Sequence, residues 1–295
     1  MNVRMWIVMI VALALVVPAG ATVLSDFESG SSDYDNNGSQ TTGKFRDTQD
    51  GADINISDNG AGNDYLQFGD DATTVYDTSP SDPANADLFL VPAGETATLK
   101  MDFTVEVPTG RVKPRMGLFD PDASGTPLGL ALVFNPRGGN NSNEEGLQLQ
   151  EITDDSGTFG STVAATVNDR ITGSATVTYQ FELVFENNGS NSGATVTGRM
   201  FELDELEGTV GSQVEFIDGE TTDDQVQAVI AYGTDTGEFD LDPASNGLGI
   251  LLHFDHNGGS LRVDNLDLSV TPEPATLAIL GLGGVGLLLR RRRRA

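Results

Sequence analysis

The sequence predicts an all-β protein, a single antiparallel β-sandwich of jelly-roll type over residues 22–270, flanked by two short apolar segments. Three observations predict it. Apolar and polar residues alternate with period two in two long windows, as half-buried strands require. Gly, Asn, Asp, Ser and Pro fill the gaps between such windows, the residue types that close turns. No window away from the termini sustains a helical period, and about a dozen short strands with polar loops suit a sandwich or jelly roll. The body has no fixed-period repeat and no dividing linker, and about 250 residues fit one large all-β domain.

In chain order, the first element is Met1-Asn2-Val3-Arg4, an apolar stretch Met5–Val17 and then Pro18-Ala19-Gly20-Ala21. A positive start, a short apolar core and the small residues Ala19 and Ala21 read as a secretory signal peptide, residues 1–21, cleaved after Ala21; the alternative is a retained membrane anchor. In the window Ala97–Val107, residues Leu99, Met101, Phe103, Val105 and Val107 fall on one face, and Lys100, Asp102, Thr104 and Glu106 on the other. In Thr176–Glu186, Val177, Tyr179, Phe181, Leu183 and Phe185 alternate with Thr176, Thr178, Gln180, Glu182 and Glu186. Shorter strands are expected at Tyr65–Phe68, Arg115–Phe119, Leu130–Asn135, Leu147–Ile152, Val226–Tyr232, Leu248–Phe254 and Leu261–Val270. The last changes phase near Asn265, with Leu261 and Val263 odd but Leu266, Leu268 and Val270 even, so a bulge or bend is expected there. Asn135–Asn141 and Glu186–Ser190 read as turns.

Composition excludes several functions. Of 16 basic residues, Arg4 and Arg290–Arg294 lie in the end segments, as does one acid, Glu273, so residues 22–271 hold ten basic against 43 acidic residues. That body carries a net charge of −33, more than the −28 of the whole chain. It lacks the clustered Lys and Arg that bind nucleic acid and should attract cations. The absence of cysteine rules out disulfides, thiolate metal sites and Cys nucleophiles. The one Trp, Trp6, lies in the N-terminal apolar run.

At the C-terminus, residues 271–295 contain Pro272-Glu273-Pro274, an apolar run Ala275–Leu289 and the cluster Arg290, Arg291, Arg292, Arg293, Arg294. Fifteen helical residues span about 22 Å against roughly 30 Å of hydrocarbon, a short transmembrane helix stretched by snorkelling arginines. The positive-inside rule keeps the Arg cluster cytoplasmic and the body outside. This three-part pattern resembles a PEP-CTERM sorting signal. The resemblance implies processing by an exosortase, a transpeptidase-like membrane enzyme, during export through the secretion machinery to the bacterial surface or extracellular matrix; the alternative is a permanent tail anchor. Gly281–Gly286 fits the dinucleotide pattern G-x-G-x-x-G, but no strand precedes it, and close helix packing in a membrane is the better reading.

The order of the body's strands resembles the concanavalin A-like jelly roll of laminin-G and legume-lectin relatives. The residues that carry it are Asp26-Phe27-Glu28, Gly117-Leu118-Phe119, Gly129-Leu130 and Leu261–Asn265.

Four patterns carry candidate chemistry. Asp33, Asp35 and Asn37 before Gly38, and Asp120, Asp122 and Ser124 before Gly125, alternate oxygen ligands as calcium loops do. The EF-hand's closing Glu is Lys44 in one and Ala131 in the other, so neither is an EF-hand, and each also reads as an Asx-rich turn. Glu202-Leu203-Asp204-Glu205-Leu206-Glu207 resembles the E-x-D-x-x-E pattern of laminarinase-type glycoside hydrolases, which implies Glu202 as nucleophile, Asp204 as helper and Glu207 as acid/base. Glu205 departs from that pattern, and no Trp remains to line a sugar cleft. His253 and Asp255 share a strand face, with His256 beyond them, a partial zinc set or a solvated strand end. Sequons at Asn37, Asn55, Asn140 and Asn188 mark turns. The expected function is an exported, non-enzymatic sandwich that binds polysaccharide or builds matrix, with no cofactor required and calcium the candidate ion at the two loops. The rivals are a secreted hydrolase using Glu202 and Glu207, and a calcium-stabilised adhesion module.

Overall fold

A computed structural model of the chain describes residues 22–25, 34–35, 45–47, 54–58, 64–68, 72–76, 89–106, 112–135, 146–154, 156–166, 176–189, 193–206, 208–214, 225–256 and 260–272. The described residues form seventeen strands and no helix. They are β1 (Thr22–Ser25), β2 (Tyr34–Asp35), β3 (Phe45–Asp47), β4 (Ile54–Asp58), β5 (Asp64–Phe68), β6 (Ala72–Tyr76), β7 (Glu95–Glu106), β8 (Val112–Phe119) and β9 (Gly129–Asn135). There follow β10 (Gly146–Ile152), β11 (Phe159–Ala165), β12 (Thr176–Gly189), β13 (Gly193–Leu203), β14 (Val210–Gln213), β15 (Val226–Ile230), β16 (Gly249–His256) and β17 (Ser260–Pro272).

Two sheets stack. Sheet A runs β14-β13-β12-β7-β17-β5-β4, with β1 beside β17 and β15 beside β13; sheet B runs β11-β10-β9-β8-β16-β6-β3-β2. Every pair of these strands is antiparallel except β2–β3. The signal peptide (1–21) and the helix expected at 275–289 lie outside the described residues.

Period-two alternation builds the core, because successive side chains leave opposite sheet faces. Ala97, Leu99, Met101, Phe103 and Val105 of β7 are buried, as are Tyr179, Phe181, Leu183 and Phe185 of β12. Sheet B answers with Met116, Leu118, Leu130, Leu132, Phe134, Leu147, Leu149, Ile250, Leu252 and Phe254. Aromatic pairs tie the layers edge to face: Phe134 meets Tyr179 at 5.7 Å and Phe68 meets Phe254 at 6.4 Å.

The expected phase change in β17 is a bulge. Asp264 pairs with Asp102 and Asp267 with Lys100, so two residues oppose Met101 alone. Asn265 takes up the extra residue at φ 44°, a left-handed conformation Asn tolerates, and Leu266 and Leu268 return to the core face. Two expectations shift. The turn expected at Glu186–Ser190 belongs to β12 as far as Gly189, because buried Asn187 donates from Nδ2 to the Val91 carbonyl and accepts from Gly189 N and the Tyr232 hydroxyl. The strand expected over Val226–Tyr232 ends at Ile230, and beyond it Tyr232 pairs with Phe239 through an isolated bridge.

Candidate functional site

Sheet B has a second packed face, away from the inter-sheet core. There Phe119, Ala131, Val133, Ile152 and Leu251 form a smaller apolar cluster, with Leu128 and Phe159 packed on it. Strand register sets polar groups beside that cluster. His253 of β16 lies opposite Arg115 of β8, Arg115 opposite Val133 of β9, and Val133 opposite Gln148 of β10. The next row runs Leu251, Gly117, Ala131 and Gln150. Gly117 is demanded here, since a Cβ would lie 2.6 Å from Ile152 Cδ1 and 2.9 Å from the Leu130 carbonyl oxygen.

Phe159 of β11 closes over this surface. The Arg115 guanidinium sits 4.3 Å from its ring centre and the His253 ring 5.0 Å away. Arg115 Nη2 lies 3.4 Å from Asp255 Oδ2, with Arg115 buried and Asp255 half-exposed. A buried guanidinium needs such compensation, and the carboxylate and aromatic face supply part of it. Gln150 Nε2 donates to Gln148 Oε1 at 3.1 Å. Burial, and then the Arg115 charge, hold the His253 pKa down to about 3, so the ring is neutral. The arrangement brings an aromatic plane, planar amides, a guanidinium and a carboxylate together on one sheet face, groups able to stack and to hydrogen-bond. Buried Arg115, His253 and Gln148 form its floor, while Gln150, Asp255, Phe159 and exposed Thr162 form the accessible rim.

His253 and Asp255 thus share a face as expected; the His256 side chain is outside the described set, and no group of three potential metal ligands occurs among the described residues. Asp120 is buried, and N–H donors occupy its carboxylate: Asp122 N reaches Oδ1, while Asp242 N and Asn246 Nδ2 reach Oδ2. Burial raises its pKa against the pull of those bonds. Asp122 and Ser124 are exposed, and Ser124 N and Gly125 N donate to Asp240 Oδ2. This loop is drawn together by backbone donors. In the other candidate loop Asp35 is in β2, whereas Asp33 and Asn37 lie outside the described residues.

Glu202 is exposed near the end of β13, opposite Tyr179 of β12. Its charge and, above all, burial push the Tyr179 pKa up to about 12. Asp204 is also exposed, and its Oδ1 accepts from Glu205 N at 3.0 Å and Thr209 N at 2.7 Å, shaping the turn into β14. Glu207 lies outside the described residues. Sequence reasoning missed a second constellation on sheet A. Buried Asp102 and Asp264 face one another across β7 and β17, with Gln180 Nε2 and Asn265 Nδ2 donating to Asp102. The phase change at Asn265 was its only signal.

Pro272 is the last residue of β17, opposite Glu95 of β7; Ala19, Ala21, Glu273, Pro274 and Arg290–Arg294 lie outside the described residues. Residues 270–294 match the PEP-CTERM protein-sorting motif. No curated protein matches the chain. Among solved structures, the metal-free form of lectin I-B4 from Griffonia simplicifolia is 12% identical, with 79% of this chain and 95% of that chain covered at a TM-score of 0.44. The potassium-bound carbohydrate recognition domain of Emp46p is 9% identical over 78% and 89%, TM-score 0.37. A lectin from Bauhinia forficata in complex with GalNAc is 10% identical over 79% and 95%, TM-score 0.40. The described residues form an all-β sandwich, and the chain carries a PEP-CTERM sorting motif over residues 270–294.

Proposed function

We propose that this protein is an exported, non-catalytic β-sandwich, delivered by its tail to the bacterial surface or extracellular matrix, where it binds polysaccharide. The observation that carries the reading is the sorting motif at 270–294, which begins on the last strand of the sandwich. The strongly acidic body suits an extracytoplasmic place, away from nucleic acid. Binding is assigned to the rim of the sheet B face, Gln150, Phe159, Thr162 and Asp255, where an aromatic plane adjoins hydrogen-bonding groups. The Asp204 carboxylate is engaged in its own turn, which supports binding over hydrolysis.

The test has two arms. In cells with the cognate exosortase, deleting residues 273–295 should abolish surface or matrix delivery; unchanged delivery overturns the sorting half. Protein recovered from those cells should co-sediment with the host's own exopolysaccharide, and Gln150→Ala with Asp255→Ala should weaken that association about tenfold, near 1.4 kcal/mol. Retained binding in the double variant moves the site elsewhere. Polysaccharide hydrolysis that Glu202→Gln abolishes would replace the binding reading with the hydrolase.

A further inference from the structure

The sorting motif and the folded sandwich share residues. The motif match begins at residue 270, yet β17 continues through Val270, Thr271 and Pro272, paired with Ala97, Thr96 and Glu95 of β7. Val270 is half-buried and packs against the main core. Upstream, β17 is held on both sides, by β7 and by β5 at Leu261–Val263, then by β1 at Leu266–Leu268. From Ser269 onward its only ladder partner among the described residues is β7. Among the described residues the last four positions are therefore a strand end held on one side, the part of a sheet that opens at least cost. An enzyme that takes an extended segment into its own cleft needs both edges of the backbone and both rows of side chains, and a strand paired on one side and packed on the core offers only part of them.

We propose that the end of β17 is a shared segment, locked in sheet A when the ladder is closed and handed to the sorting enzyme when Val270–Pro272 peel from β7. Opening of these three pairs then gates tail processing and couples it to the state of the fold. This inference rests on the proposed reading of the tail as a sorting signal.

The chain contains no cysteine, so a single staple can be introduced cleanly. Thr96 and Thr271 are direct antiparallel partners, a separation of about 5 Å between Cβ atoms that a disulfide spans after small adjustment. The full chain carrying Thr96→Cys and Thr271→Cys is expressed in cells with the cognate exosortase, and conversion of precursor to processed form is followed by gel mobility. The oxidised protein should lose conversion, and reductant should restore it in the same protein, which controls for misfolding. A second version repeats Val270-Thr271-Pro272 once before Glu273, giving the enzyme a free copy beyond the paired one. It should be processed even when the staple is closed. Conversion of the oxidised staple at the wild-type rate overturns the gate, as does failure of the repeat to rescue it. Absence of conversion in the wild-type chain overturns instead the sorting reading beneath it.

Discussion

His253 illustrates how neighbours set a residue's chemistry. In the unfolded chain it titrates near pH 6.5, whereas burial and the Arg115 charge keep it neutral in the fold down to about pH 3. The unfolded state therefore binds a proton that the folded state refuses, and stability falls as pH drops below about 6.5. Between pH 7.5 and 5 this costs about 2 kcal/mol. His253→Gln removes the term, so urea unfolding at both pH values should show the variant gaining about that much on wild type at pH 5. Identical pH dependence of the two proteins would mean that the ring is not shielded. Asp120 acts differently, as an acceptor for three N–H groups from its own loop and from the Asp242–Asn246 segment. Asp120→Ala strands those donors and should lower stability by about 2 kcal/mol, while exposed Asp122→Ala should change it by less than about 0.5. Equal effects in a denaturation titration would contradict the division of labour.

At the scale of strands, what the sequence disclosed depended on which faces were apolar. β7 and β12 pack large residues on one face and polar ones on the other, so their alternation was plain. The bulge in β17 was legible because its buried residues switch parity, from Leu261 and Val263 to Leu266 and Leu268. β13 was missed because Ala194 and Gly198 interrupt the apolar alternation of Val196 and Met200 on its core face. β11 was missed because as an edge strand it buries little. The site was half legible: His253 and Asp255 share one strand, but Arg115, Gln148 and Phe159 join them only through four successive strand pairs. Two substitutions test the backbone argument. Asn265→Gly keeps the left-handed conformation and loses one bond to Asp102, whereas Asn265→Val forces a β-branched side chain into φ 44°. Thermal melts should place the valine variant about 1–2 kcal/mol below the glycine variant. A valine variant as stable as the glycine one would mean the bulge is not held in that conformation.

For the whole molecule, charge and the sandwich act against each other. Forty-three carboxylates against ten basic side chains leave the 22–271 body self-repelling, while the two packed cores oppose expansion. Salt shortens the range of that repulsion from about 30 Å at 0.01 M to about 8 Å at 0.15 M, so the melting temperature should rise steeply over that interval and flatten beyond it. Magnesium and calcium compared at equal ionic strength then separate a diffuse counter-ion atmosphere from a built site. A diffuse atmosphere treats the two ions alike, whereas a site with flexible oxygen ligands favours the larger one. Because the Asp120 carboxylate already accepts three N–H groups, the expected result is the same melting temperature in both salts, unchanged by Asp122→Ala. An extra rise in calcium that saturates and disappears in Asp122→Ala would show a cation displacing those donors, and would make the loop after β8 a structural calcium site.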